Sequence, residues 1–315
     1  FAENDPNGFL QLYDQKVILD EVQRVPALLS YIQTIVDSNN MMGQYILSGS
    51  QNFNLMKSIT QSLAGRVALF KLLPFDMTEL KSAGLLPSDF EQLILKGSYP
   101  ALYDRSIPFA SFYANYIETY IQRDVTELLS IRDFGLFRTF LKLCAARIGQ
   151  QLNIANLSSE TGVSVPTLRS WISILESSFI MYQLPPFFKN FNKRLVKSPK
   201  LYFYDTGLAS FLLGIRNEKT LLESEFKGAL FENMIITEYV KQNYHNNLFH
   251  DFYYWRDSNG HEVDLLVSND TAYDAIEIKS TKTILPKQFA GLDFLANIGG
   301  DAIRRKILVY GGDSS

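Results

Sequence analysis

The sequence predicts an α/β protein built from several domains, and three observations carry that expectation. The chain has 315 residues, 46% of them hydrophobic, which is more than one apolar core usually organises. Its first eighty residues or so alternate short β-branched runs with helical periodicity, the pattern of parallel strands joined by helices. Its last hundred or so place a long apolar helix before strand-like runs that bracket a glycine turn.

Taken in order, Lys16-Val-Ile-Leu-Asp20-Glu21 is a β-branched run ending in two carboxylates, followed by Pro26 and a helical pattern through Leu28, Leu29, Ile32, Ile35 and Val36. Gln44-Tyr-Ile-Leu-Ser48-Gly49-Ser50 then repeats the strand and polar turn. Neighbouring parallel strands of this kind open their carboxyl ends onto one crevice, where ligands bind. In a nucleotide hydrolase Asp20 would hold Mg²⁺ through its water shell and Glu21 would orient or deprotonate the attacking water. Ser48 or Ser50 would sense the γ-phosphate, and Arg66 would stabilise transferred charge. Alone, an apolar strand ending in Asp-Glu more often caps the next helix.

From Thr78 to Gly149 the pattern is helical, broken at Gly97-Ser-Tyr-Pro-Ala101, and reads as a lid or connector. Arg123-Asp124 within it reads as an ion pair rather than as catalytic machinery. Cys144, the single cysteine, lies in an apolar-periodic stretch, so it reads as a buried helical thiol in a reducing cytosol. Ile154 to Ser164 and Val165 to Leu175 read as helix, glycine turn and Ser-capped helix, the spacing of a helix-turn-helix. The runs Phe179 to Leu184 and Leu201 to Tyr204 complete an expected winged helix. Its second helix would present Ser164, Thr167, Arg169 and Ser170 to DNA. The loop between the strands interleaves Lys189, Lys193, Arg194, Lys197 and Lys200 with Phe187, Phe188 and Phe191, offering charge for phosphates and rings for stacking.

In the last part, Phe226 to Val240 reads as a largely buried helix carrying Glu232. Phe252 to Arg256, Ser258-Asn-Gly260 and Glu262 to Val267 form a hairpin signal, and Ala275-Ile-Glu277-Ile-Lys279 is a further strand. Strand alternation puts Glu277 and Lys279 on one face, with Asp264 on a preceding strand, so polar groups converge among apolar neighbours. Burying them is costly unless they serve one another or a metal.

Two resemblances follow from these motifs. Val17-Ile-Leu-Asp-Glu-Val-Gln23, Ile46-Leu-Ser-Gly-Ser50, Ala64-Gly-Arg66 and Leu73-Pro-Phe75 stand in the order found in bacterial and archaeal AAA-type ATPases that carry a C-terminal domain of unknown function. The chain resembles that family along its length. The resemblance implies part of a P-loop NTPase parallel sheet over residues 1–80 with a Walker B pair at Asp20 and Glu21. It also implies a helical lid over 81–149, a winged helix-turn-helix over 150–205, and ATP with Mg²⁺ as cofactors of the intact protein. No Gly-x-x-x-x-Gly-Lys-Ser/Thr occurs in the sequence, so these residues by themselves are expected to bind ATP poorly. Because the chain opens on Phe1 and runs straight into a strand, the natural N-terminus is expected to lie upstream.

Second, Asp264, an interval of thirteen residues and Glu277-Ile-Lys279 resemble the PD-(D/E)XK nucleases, whose core is a mixed sheet flanked by helices. That resemblance implies a restriction-endonuclease-like domain over 206–315. Asp264, Glu277 and Glu232 would hold Mg²⁺ or Mn²⁺, and Lys279 would position water or stabilise charge in phosphodiester cleavage.

A net charge of −3 excludes a globally basic nucleic-acid binder and leaves only local patches. No apolar run is long enough for a bilayer, and no basic n-region followed by an apolar h-region opens the sequence, so a cytoplasmic protein without membrane contact is expected. The leading expectation is an ATPase acting on nucleic acid, DNA in preference, with metal-dependent cleavage at its C-terminal end; a homo-oligomer is compatible with it. The alternatives are a non-catalytic regulatory module that retains the fold, and a signalling ATPase whose terminal domain recognises protein.

Overall fold

A computed structural model describes residues 1–39, 41–49, 59, 62–120, 133–187 and 198–312. Ser50, Arg123, Asp124, Lys189, Lys193, Arg194 and Lys197 lie outside the described residues. The chain forms two compact units, Phe1–Phe70 and Lys71–Ser315. Among the described residues no helix is long and apolar enough to cross a membrane.

In the first unit, α1 (Pro6–Leu12) and α2 (Ala27–Asn39) flank two short strands, β1 (Val17–Leu19) and β2 (Tyr45–Leu47). The strands pair in parallel, Val17 with Tyr45 and Leu19 with Leu47, as their spacing predicts. Leu10, Leu19, Leu28, Leu29 and Ile32 form the core beneath them. Proline at the start of α1 costs no hydrogen bond there, and Asp5 caps that helix from Gly8 N–H at 2.9 Å.

The second unit opens with short helices: α3 (Met77–Ser82), α4 (Phe90–Lys96), α5 (Ala101–Asp104), α6 (Phe109–Tyr116) and α7 (Phe134–Ala145). Gly97 ends α4 with φ +70°, which explains the break read at Gly97–Ala101. Next come α8 (Ile154–Thr161) and α9 (Val165–Ser177), joined through Gly162 at φ +70° and capped by Ser164. An antiparallel hairpin of β3 (Met181–Leu184) and β4 (Lys200–Phe203) follows, then α10 (Thr206–Leu212), α11 (Glu218–Glu223) and the long α12 (Lys227–His245).

The last part is a four-stranded mixed sheet in the order β5 (Phe252–Arg256), β6 (Glu262–Asn269), β7 (Ala272–Lys279) and β8 (Ile303–Tyr310). Strands β5, β6 and β7 run antiparallel, whereas β8 lies parallel to β7 after crossing through α13 (Ala290–Gly299). The two faces are apolar in different company. Leu265, Val267, Ile276 and Ile278 join the core that contains α12, while Leu266 and Ala275 pack with Leu292 and Leu295 of α13. Residues 81–149, 150–205 and the α12 side of the sheet share one continuous core. Cys144 is fully buried in it, and burial pushes its thiol well above the ordinary range.

Candidate functional site

In the first unit, parallel pairing brings the ends of β1 and β2 together. Ser48 N–H donates to Leu19 C=O at 3.0 Å, and Val22 N–H donates to Ser48 C=O at 3.2 Å. The Ser48 hydroxyl therefore donates to Asp20 Oδ1 at 2.5 Å. Glu21 takes the left-handed backbone region at φ +54°, and the Gln23 amide bonds its carboxylate. An open cleft of about 540 Å³ beside them is lined by Phe9, Tyr13, Ile18, Asp20, Glu21 and Arg24. The structure thus places Asp20, Glu21 and Ser48 side by side at the ends of the two strands.

Arg66 is engaged elsewhere: it forks onto Asp37, Nε to Oδ1 at 2.5 Å and Nη2 to Oδ2 at 3.0 Å, and caps Ala64 C=O. Both partners are exposed, so solvent and salt screen the pair. Arg66→Ala is accordingly expected to leave the unfolding midpoint of this chain unchanged; a clear downward shift in thermal denaturation would contradict that.

In the second unit, α12 delivers Glu232 and the sheet delivers Asp264, Glu277 and Lys279. Beyond the last paired residues of β6 and β7, Asp264 Oδ2 accepts Ile278 N–H at 2.8 Å. Lys279 Nζ reaches Asp264 at 3.5 Å and Glu277 Oε1 at 2.5 Å. The other oxygen, Glu277 Oε2, is buried without a hydrogen-bond partner. Burial first, and then the charge of Asp264, pushes the carboxyls of Glu232 and Glu277 up to about 7.

Glu232 is held from its other side by groups the sequence did not single out for it. Tyr202 O–H donates to Glu232 Oε1 at 2.5 Å, and Lys200 Nζ lies 3.3 Å from the same oxygen. Lys200 also pairs with Glu262, whose other oxygen meets Arg256 at 3.1 Å. Gly149, at φ +72°, lies beneath: a Cβ there would stand 3.3 Å from Glu232 Oε1.

This corrects the expectation for Lys200 as a phosphate contact, because its side chain is only 4% exposed and paired to two carboxylates. Phe187 is corrected likewise. It is buried against Tyr253 and Tyr273 and is no exposed stacking ring. Alternation flags neither, because all four residues of β4 are buried and Phe187 lies outside a strand. Ser164, Thr167, Arg169 and Ser170 are all exposed on the first turns of α9.

Among the described residues, the acid and histidine side chains with three ligand atoms within 4.8 Å of one another are Asp76, Glu79 and His245. Asp76 and Glu79 form the capping box of α3, and His245 Nδ1 joins it at 2.8 Å from Asp76. That trio pins a helix start to the end of α12.

These two sites define a mixed α/β chain with acids at parallel strand ends and a buried acid–lysine cluster at one end of a mixed sheet. Residues 1–81 match the family described as "AAA domain", residues 87–219 match "Domain of unknown function (DUF8612)", and residues 227–315 match "Domain of unknown function (DUF4143)". The likeness to an AAA domain thus covers the first part of the chain. An uncharacterized protein of Mycobacterium tuberculosis and one of Mycobacterium bovis are each 30% identical to it over 281 residues, 89% of this chain. The chain spans 62% of the length of those relatives. No solved structure matches it significantly.

Proposed function

We propose that this chain belongs to an AAA-type ATPase that couples nucleotide hydrolysis to a nucleic-acid-binding, PD-(D/E)XK-like domain able to cleave phosphodiesters. The observation that carries the second half is the convergence of Asp264, Glu277, Lys279 and Glu232 at one end of a mixed sheet with helices on both faces.

In the first unit, Asp20 would hold Mg²⁺ through water and Glu21 would orient the attacking water, with Ser48 fixing the Asp20 carboxylate through its hydroxyl. In the second, the candidate donors are all oxygens, the type a hard cation takes, and Glu277 Oε2 is buried without a hydrogen-bond partner among the described residues. The three acids Asp264, Glu277 and Glu232 do not bring three ligand atoms within 4.8 Å of one another, so a metal would need Glu232 to move or would be held by Asp264 and Glu277 alone. Asp264 and Glu277, with Glu232 beside them, would hold Mg²⁺ or Mn²⁺, which supplies charge neutralisation at the scissile phosphate. Lys279, anchored by both carboxylates, would position water or steady the developing negative charge. Exposed Arg169, at the start of α9, would contact the phosphate backbone together with Lys189, Lys193, Arg194 and Lys197.

The test is incubation of the chain with plasmid and single-stranded DNA in millimolar Mg²⁺ or Mn²⁺. Asp264→Ala and Lys279→Ala are each expected to lower cleavage by about a hundredfold or more. No cleavage by the wild-type chain under either metal would sink this half of the reading. A second reading, salt-sensitive binding without cleavage, is favoured by the lysines that already neutralise the acids.

A further inference from the structure

A cationic side chain withdrawn from water needs a counter-charge. In the second unit Arg147, Lys200, Lys227, Lys241, Arg256 and Lys279 are buried or half-buried, and each holds a carboxylate: Glu160, Glu232, Glu91, Glu238, Glu262 and Asp264 in turn. Lys96 and Arg216 are half-buried as well, yet neither forms an ion pair among the described residues. These two exceptions line one and the same open cleft, of about 750 Å³.

Local chemistry holds both cations in place. Lys96 ends α4, and its ammonium lies 3.7 Å from the centre of the Tyr103 ring. Arg216 follows α10; its guanidinium carbon lies 3.7 Å from the centre of the Phe211 ring, and Nη1 donates to Phe211 C=O and, at 3.3 Å, to Ile215 C=O. The ring faces and the carbonyl ends of the helices offset part of the charge without neutralising it. Burial accordingly holds both side chains below their ordinary titration range. The Nε and Nη2 edge of Arg216, with which a guanidinium grips an oxyanion through two parallel bonds, makes no hydrogen bond among the described residues.

The rest of the lining narrows the ligand. Lys219 adds a third cation against one acid, Glu218, while Leu85, Leu95 and Phe109 furnish an apolar wall. Three cations to one acid favour an anion of more than one charge, the wall favours an organic body, and the volume is that of a small-molecule site. We propose that this cleft binds a phosphate monoester carrying an apolar or aromatic body, with Lys96 and Arg216 on the phosphate oxygens and Leu95 and Phe109 against the body. None of these residues belongs to the acid–lysine cluster or to the cleft of the first unit, so the proposal stands apart from the readings of both.

The experiment uses the full chain and naphthyl phosphate as the probe. Lys96 is acylated with a limiting succinimidyl ester and its labelling is read by mass spectrometry. Naphthyl phosphate is expected to slow labelling of Lys96 several-fold and to leave exposed Lys287 untouched. Naphthol, which lacks the phosphate, and inorganic phosphate, which lacks the ring, should each protect less. In calorimetry Lys96→Met, which keeps the aliphatic stem and loses the charge, should bind naphthyl phosphate about tenfold more weakly than wild type. Adenosine monophosphate separates the sources of the same chemistry: binding as tight as that of naphthyl phosphate assigns a nucleotide, and weaker binding assigns a phosphate ester of another kind. Protection by naphthol equal to that by its phosphate, no protection by either phosphate ester, or unchanged affinity in Lys96→Met overturns the proposal.

Discussion

Asp205→Ala is expected to destabilise the Lys71–Ser315 unit by about 3–5 kcal/mol. The carboxylate is only 2% exposed and satisfies donors from three parts of the chain. It accepts Ser98 N–H at 2.7 Å, Tyr113 O–H at 2.6 Å and Leu208 N–H at 2.9 Å, the last as the cap of α10. Alanine would strand these donors in an apolar interior, and each orphaned donor costs about 1–3 kcal/mol. Asp205→Asn keeps an acceptor oxygen and should cost less. Gly97→Ala should strike the same network, because its Cβ would stand 2.1 Å from Tyr113 Oη and 2.5 Å from the Asp205 carboxylate. Urea denaturation followed by fluorescence reads this unit selectively, since Trp171 and Trp255, the two tryptophans, both lie in it. A loss under about 1 kcal/mol would show that water replaces the carboxylate.

The second large effect is a fall in stability as pH rises from about 4.5 to about 7. Glu232 and Glu277 each titrate near 7 in the folded chain against 4.5 for the ordinary group. A carboxyl whose folded value is raised binds its proton more tightly folded than unfolded. Its contribution is therefore complete below about pH 4.5 and is lost as pH climbs through about 7. The combined loss should be about 3–5 kcal/mol: one such rise alone is worth about 3 kcal/mol, and the two do not add fully because the carboxyls share Asp264. Glu232→Gln should flatten the slope across this window, as measured by denaturant midpoints at several pH values. A slope of the opposite sign, or one untouched by Glu232→Gln, would refute it.

How much of this was legible depends on whether a signal is local. The parallel β1–β2 pair, the Gly162 turn, the hairpin around Gly260 and the acids Asp264 and Glu277 are all written in short-range patterns of alternation and turn chemistry. What the sequence hides are pairings across long separations. Lys200 reads as one more basic residue of a loop until β4 is laid against α12, where Glu232 waits. Asp205 caps α10, yet the donors from Ser98 and Tyr113 lie far upstream and leave no periodic trace in the sequence. Lys241 is similar: a lysine in a helix, buried, donating to Phe75 C=O at 2.9 Å and Ser98 Oγ at 2.7 Å. Arg66 shows the reverse, since a motif position suggested chemistry while the nearest carboxylate, Asp37, claims the side chain.

The four-stranded sheet of the second unit ends on β8, whose outer backbone groups have no strand beyond them among the described residues. An open edge is a template for pairing with another chain, and proteins guard it with charge. Here Arg304, Arg305 and Lys306 stand in succession near its start, and the two arginines are clamped onto Asp274 of β7. The clamp holds the guards in place, so Asp274 protects against aggregation without facing the exposed edge itself. Its loss would be felt in colloidal behaviour, as turbidity on concentration or heating.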